Sequence, residues 1–170
     1  LTLQYESLSK KPDIPENFKG KLGLAIVSDT PIEVFEEYKD CCSFILFMAT
    51  TPGMSGGKFD KQNFKKIQQF QNNYPHVKIH VDGGINEELS FILRNIGVDA
   101  AVIGSYLFRS DFIGSALLRL NSNDIESHYR VRDFMIDYDE IPIVEEDSAT
   151  FLELLKATDR YNIGLTSIAD

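Results

Sequence analysis

The 170-residue chain, 43% hydrophobic and 25% charged with 11 Gly and 6 Pro, has the composition of one or two globular domains, which excludes collagen-like, mucin-like and fully disordered classes. Its 17 Lys and Arg stand against 26 Asp and Glu, a formal charge of −9, so the basic footprint of a phosphate-backbone binder is missing and no nucleic-acid partner is expected. No run of about 18 apolar residues exists for a membrane span, and the first residues lack signal-peptide order; the expectation is a soluble, cytoplasmic protein with no membrane partner.

Apolar runs alternate with helix-like stretches along the first two-thirds of the chain. Leu1–Tyr5, Leu22–Val27, Ser43–Met48, Val77–Val81 and Ala100–Ile103 read as five strands. Between them, Pro31–Tyr38 reads as a helix with Thr30 as N-cap and Pro31 at its first position. Asp60–Asn73 places Phe64, Ile67 and Phe70 at helical spacing, and Asn86–Asn95 does the same with Leu89, Ile92 and Leu93 before Gly97. Strands alternating with helices predict βα units on a parallel sheet, and the near-continuous apolar strands predict burial on both sheet faces. Cys41 and Cys42 are adjacent, which strains a mutual disulfide, and read as reduced core thiols.

Glycine placement separates the two α/β architectures. A dinucleotide fold puts its glycine-rich turn after the first strand. Here such turns follow three later strands: Gly53, Gly56 and Gly57, then Gly83 and Gly84, then Gly104. That pattern predicts a (β/α)8 TIM-barrel type of α/β fold, whose loops after the last strands gather backbone amides for a phosphate. The candidate cradle is Ser55, Gly56, Gly57, Gly83, Gly84, Gly104 and Ser105. Asp82 ends the fourth strand and points to the mouth of such a barrel, since Asn86 is better placed than Asp82 to cap the next helix. His80, two residues earlier, shares the face of Asp82 and reads as an interior residue; His76 and His128 carry no motif.

The segments LTLQYE, LGLAI, FMATTPGMSGGKF, KIHVDGGI and VIGSYLFRS together resemble the last five βα units of the ribulose-phosphate 3-epimerase family. The resemblance implies strands 4–8 of the barrel, over about residues 1–115, and epimerisation at C3 of a ketose phosphate such as ribulose 5-phosphate. It also implies a divalent metal of the Zn, Fe or Mn class, with Asp82 as both catalytic aspartate and metal ligand and Met48 lining the substrate pocket. The sugar phosphate would lie on the amides of the glycine loops. The family's other aspartate, two histidines and a serine belong to strands that this chain lacks, and the chain begins on Leu1 within a strand, as though cut from something longer. Departures fall at Gln4, Thr51, Met54, Ser55 and Gly57. They keep open an alternative, a non-catalytic sugar-phosphate-binding or regulatory protein. The unclosed barrel edges predict assembly, as a homo-oligomer.

Residues 124–170 carry 12 acids and 4 bases, whereas residues 1–123 are close to neutral, so the division expected is a partial barrel over 1–123 and an acidic module over 124–170. The module reads as a strand-turn-helix-strand unit, in which Val131–Met135 leads to the IPIV run. A helix capped by Asp147 or Ser148 runs through Ala157, and a strand follows Gly164. The segment resembles the first half of a CBS domain, which implies an adenine nucleotide as ligand of a complete module.

Overall fold

The structure, a computed structural model, describes residues 1–15, 18–51, 53, 56–136, 140–161 and 166–169. It forms two compact units, Leu1–His128 and Tyr129–Asp170.

The first unit is a parallel five-stranded sheet: β1 (Thr2–Gln4), β2 (Gly23–Val27), β3 (Phe44–Met48), β4 (Lys78–Asp82) and β5 (Ala100–Val102). The spatial order is the chain order, β1-β2-β3-β4-β5, with every neighbouring pair parallel. A doubly wound sheet reverses its order at a switch point and this one does not, which is the progression of an arc of a (β/α) barrel. Helices α1 (Gln62–Asn73) and α2 (Glu87–Asn95) cross between strands, and α3 (Ser105–Phe108) and α4 (Ile113–Leu120) follow β5. Asn86 caps α2, its side chain accepting from Leu89 N at 2.9 Å, and Gly97 takes the positive φ of a helix exit.

Alternation along the strands decides where the core sits. Ile45, Phe47, Ile79 and Val81 point to the helix-covered face and are buried against Phe64, Ile67 and Phe70 of α1 and Leu89, Ile92 and Leu93 of α2. Phe70 is edge-on to Phe35 and Phe47 at 5.1 and 5.8 Å, and tilted against Tyr74 at 4.7 Å. The expectation of strands buried on both faces holds for β2, where Gly23, Leu24, Ala25 and Ile26 are all buried, and fails for the other face of β3, β4 and β5. Phe44, Leu46, Met48, His80 and Asp82 are only half-buried, and all of β5 is exposed. Five strands in the order β1-β2-β3-β4-β5 form an arc and not a closed barrel, so apolar content alone overstated burial on β3, β4 and β5.

Other expectations shift locally. Residues Ile32–Glu37 form a 3-10 helix led by Pro31, and Thr30 caps nothing because its hydroxyl donates to the Glu6 carboxylate. The same carboxylate accepts from Val27 N at 3.0 Å. From the other side Lys66 Nζ donates to the carbonyls of Val27, Ser28 and Thr30 at 2.8, 2.9 and 2.6 Å, pinning the loop after β2. Cys42 is a buried free thiol, pushed up to about 12 by burial and then by Cys41 beside it.

In the second unit, β6 (Ile143–Glu145) and β7 (Ser167–Ala169) pair in parallel around α5 (Phe151–Tyr161), a βαβ arrangement. Before β6, Val131–Asp133 forms a 3-10 turn, because Asp133 closes back on Arg130 through both its backbone N and its carboxylate. The helix starts later than expected. Asp147 and Ser148 belong to a preceding 3-10 turn, and Thr150 Oγ1 accepts from Glu153 N at 3.2 Å at the helix start. No helix among the described residues is long and apolar enough to cross a membrane.

Candidate phosphate and acid-base site

The carboxyl ends of β3 and β4 finish level, with Met48 and Asp82 as register partners. The backbone then locks. Ala49 N donates to Asp82 O at 2.7 Å, and Asp60 N donates to Ala49 O at 2.8 Å, closing the 49–60 loop onto the strand end that carries Asp82. Gly83 and Gly84 turn the chain away at φ +115° and +68°, a region that side-chain-bearing residues avoid. A Cβ on Gly84 would lie 2.4 Å from Phe59 N and 2.9 Å from Gly57 O, so the two glycine loops pack backbone on backbone.

One cleft of about 260 Å³ results, and most of the residues singled out from sequence meet in it. Met48 and Asp82 line it from the strand ends, Gly56 and Gly57 from the loop after β3, Gly83 and Gly84 from the loop after β4. Gly104 and Ser105 complete it after β5. Ser55 lies outside the described residues. Thr50, Thr51, Gly53, Ile85 and Val102 also line the cleft, and of these the sequence motifs single out only Thr51 and Gly53. Thr50 is found only through the fold, where its hydroxyl packs against Gly83: a Cβ there would lie 2.5 Å from Oγ1.

Asp82 is half-buried, and partial loss of water raises its carboxyl above the ordinary carboxylate range. His80 lies on the same sheet face but is stacked on Phe44, with ring centroids 4.3 Å apart and planes 20° apart. Burial holds its imidazole below the usual histidine range against the opposing influence of Asp99, and its ring serves in packing against Phe44. Among the described residues no three His, Cys, Asp or Glu come together as a metal ion requires. Asp82 alone does not make such a site, so the chain's described donors do not fit the metal implied by the sequence resemblance.

A larger cleft of about 590 Å³ adjoins the first and shares Gly56, Gly57, Gly84, Ile85 and Ser105 with it. Arg109, Asp111 and Arg119 supply its charged lining.

In comparison with known proteins, residues 14–108, more than half of the chain, match the model of the ribulose-phosphate 3 epimerase family. A protein of Chlamydia muridarum named ribulose-phosphate 3-epimerase is 35% identical over 97 residues, covering 54% of this chain and 42% of that protein. The protein of that name from Buchnera aphidicola is 32% identical over 108 residues, 61% and 47% of the two chains. The one from Candida glabrata is 31% identical over 88 residues, 52% and 36%. The chain thus spans less than half the length of these curated relatives. The matched stretch contains all three glycine loops and stops short of Arg109 and of the second unit.

Proposed function

The chain belongs to the ribulose-phosphate 3-epimerase family, and from that premise we propose that its first unit holds a ketose phosphate and supplies one acid-base carboxylate, Asp82, for epimerisation at C3. The observation that carries this reading is the meeting of Asp82 with the three glycine loops in one cleft. The phosphoryl group rests on loop amides, which approach it without Cβ atoms in the way. The proton on C3 of ribulose 5-phosphate is α to the C2 carbonyl. Asp82 takes that proton, and the C–H electron pair becomes the C2–C3 double bond of an enediolate as the carbonyl oxygen gains the charge. Partial burial suits this role, because a raised carboxyl is a stronger base. Inversion requires a proton returned on the opposite face by a second acid, and the described lining of the cleft holds a single carboxylate. The family generally depends on a divalent metal; the described donors of this chain do not assemble a site for one, and no step is derived through it.

The test is exchange at C3. Ribulose 5-phosphate incubated with the chain in deuterated water should gain deuterium at C3, and Asp82→Asn should abolish the gain. Exchange that survives the substitution removes Asp82 from the chemistry.

One observation favours the non-catalytic alternative. Gln4, where the family carries histidine, spends its amide on Glu6. Binding of ribulose 5-phosphate with no exchange would establish that alternative.

For the second unit, the β6-α5-β7 arrangement supports the opening part of a CBS-like module that takes an adenine nucleotide when complete. A rise in the unfolding temperature of this unit with AMP or ATP tests it. The outer strands β1 and β5, each with one neighbour, support assembly of the protein as a homo-oligomer, which sedimentation would read directly.

A further inference from the structure

We infer that Arg109 is the cation of the phosphate site, closing over the substrate phosphoryl group from the outer side of the glycine loops; this rests on the phosphate-cradle reading above. The cleft that contains Asp82 has no lysine or arginine in its described lining, and its one charged residue is an acid. A phosphate dianion placed there meets a carboxylate and neutral amides, inside a chain of net charge −9. A cation standing close adds charge-assisted hydrogen bonds to those of the amides and strengthens such a site.

Arg109 is in that position. It follows α3, its backbone N donating to Ser105 O at 3.1 Å, so it stands one helical turn from Ser105 of the cradle. Its guanidinium lies directly on Gly56: a Cβ at position 56 would be 2.8 Å from Nη2 and 3.0 Å from Nη1. Gly56 at φ +78° thereby leaves to a planar five-donor cation the space that a side chain would fill. The residues shared by the two clefts form the wall between Asp82 on one side and Arg109 on the other. No ion pair engages Arg109 among the described residues. Arg119, the other cation of the outer cleft, is bonded to Tyr106, whose hydroxyl donates to Glu87 at 2.7 Å. Asp111 is the only acid in the described lining of that cleft and leaves it net positive. Lys58 is a competitor, lining a third cleft that shares Thr50 and Thr51 with the Asp82 cleft.

The experiment is calorimetric titration of the full chain with inorganic phosphate at low salt, on wild type, Arg109→Gln, Arg109→Lys, Lys58→Gln and Gly104→Ala. Arg109 is exposed, so its variants should keep the wild-type unfolding temperature. The inference expects Arg109→Gln to weaken phosphate about tenfold or more, Arg109→Lys to recover part of the loss, and Lys58→Gln to bind as wild type. Unchanged affinity in Arg109→Gln, with loss in Gly104→Ala, overturns the inference and leaves the cradle standing. Loss in Lys58→Gln with none in Arg109→Gln assigns the cation to Lys58 and overturns it equally. Absence of phosphate binding by the wild type overturns the cradle reading, and the inference with it.

Discussion

Met48 and Asp82 are register partners at the carboxyl ends of adjacent parallel strands, and the backbone NH of the next residue, Ala49, donates to the Asp82 carbonyl at 2.7 Å. Asp82 is therefore positioned by its main chain, and its side chain is free to change charge without loosening the loop. Burial sets a folded carboxyl pKa above the unfolded one. For a group shifted in that direction, the folded state binds the extra proton, so its contribution is fully present at low pH and is withdrawn as pH rises through the folded value. Asp82→Asn should therefore equal or exceed wild type in stability at neutral pH and show a flatter stability profile across the carboxylate range. Urea titrations at several pH values check this; a variant markedly less stable at neutral pH contradicts it.

The glycines of the site divide into two kinds. At Gly84 a methyl group would collide with the backbone at Phe59 and meet a positive φ, so Gly84→Ala should cost about 2 kcal/mol or more and disturb both loops. At Gly104 nothing lies within 4 Å of the added Cβ, so Gly104→Ala should fold as wild type while weakening phosphate binding. Thermal melts paired with phosphate titrations separate the two.

The loop after β2 is held between Glu6 and Lys66. Lys66→Met leaves the three carbonyls of Val27, Ser28 and Thr30 without their common donor and should cost about 1–3 kcal/mol. At Glu6 desolvation favours the neutral acid, but hydrogen bonds from Thr30, Val27 and Gln4 outweigh it and hold the carboxyl below its usual range. A depressed acid stabilises above its unfolded pKa, and that contribution is lost as pH falls through the folded value. Glu6→Ala should accordingly cost about 1 kcal/mol at neutral pH and much less in acid, which denaturation at two pH values reads.

Phe70 is fully buried among Phe35, Phe47 and Tyr74. Phe70→Ala should cost about 3–5 kcal/mol by loss of transfer energy and creation of a cavity. A denaturation midpoint near that of wild type would mean that α1 is not integral to the first unit's core.

Much of the first unit is legible in the amino-acid sequence. The β2, β3 and β4 runs, the Asn86 cap and the grouping of three glycine turns are local signals, carried by residues a few positions apart, and the strands and turns form where those residues stand. Less legible are features set by residues distant in sequence. Thr30 reads as a helix cap until Glu6 competes for its hydroxyl, and Thr150 displaces Asp147 and Ser148 at the start of α5.

Apolar patterning made a βα succession the economical reading, and the motifs PGMSGGKF, HVDGG and IGSYLF pointed to one family, because turn chemistry and side-chain period are written in short stretches. Only the tertiary structure decided that Phe44, Leu46, Met48, His80 and Asp82 stay half-buried, that Met48 and Asp82 stand level, and that the Arg109 guanidinium lies on Gly56 across 53 residues of chain. Those relations depend on how separate loops pack, and packing distances between segments have no signature in the segments taken alone.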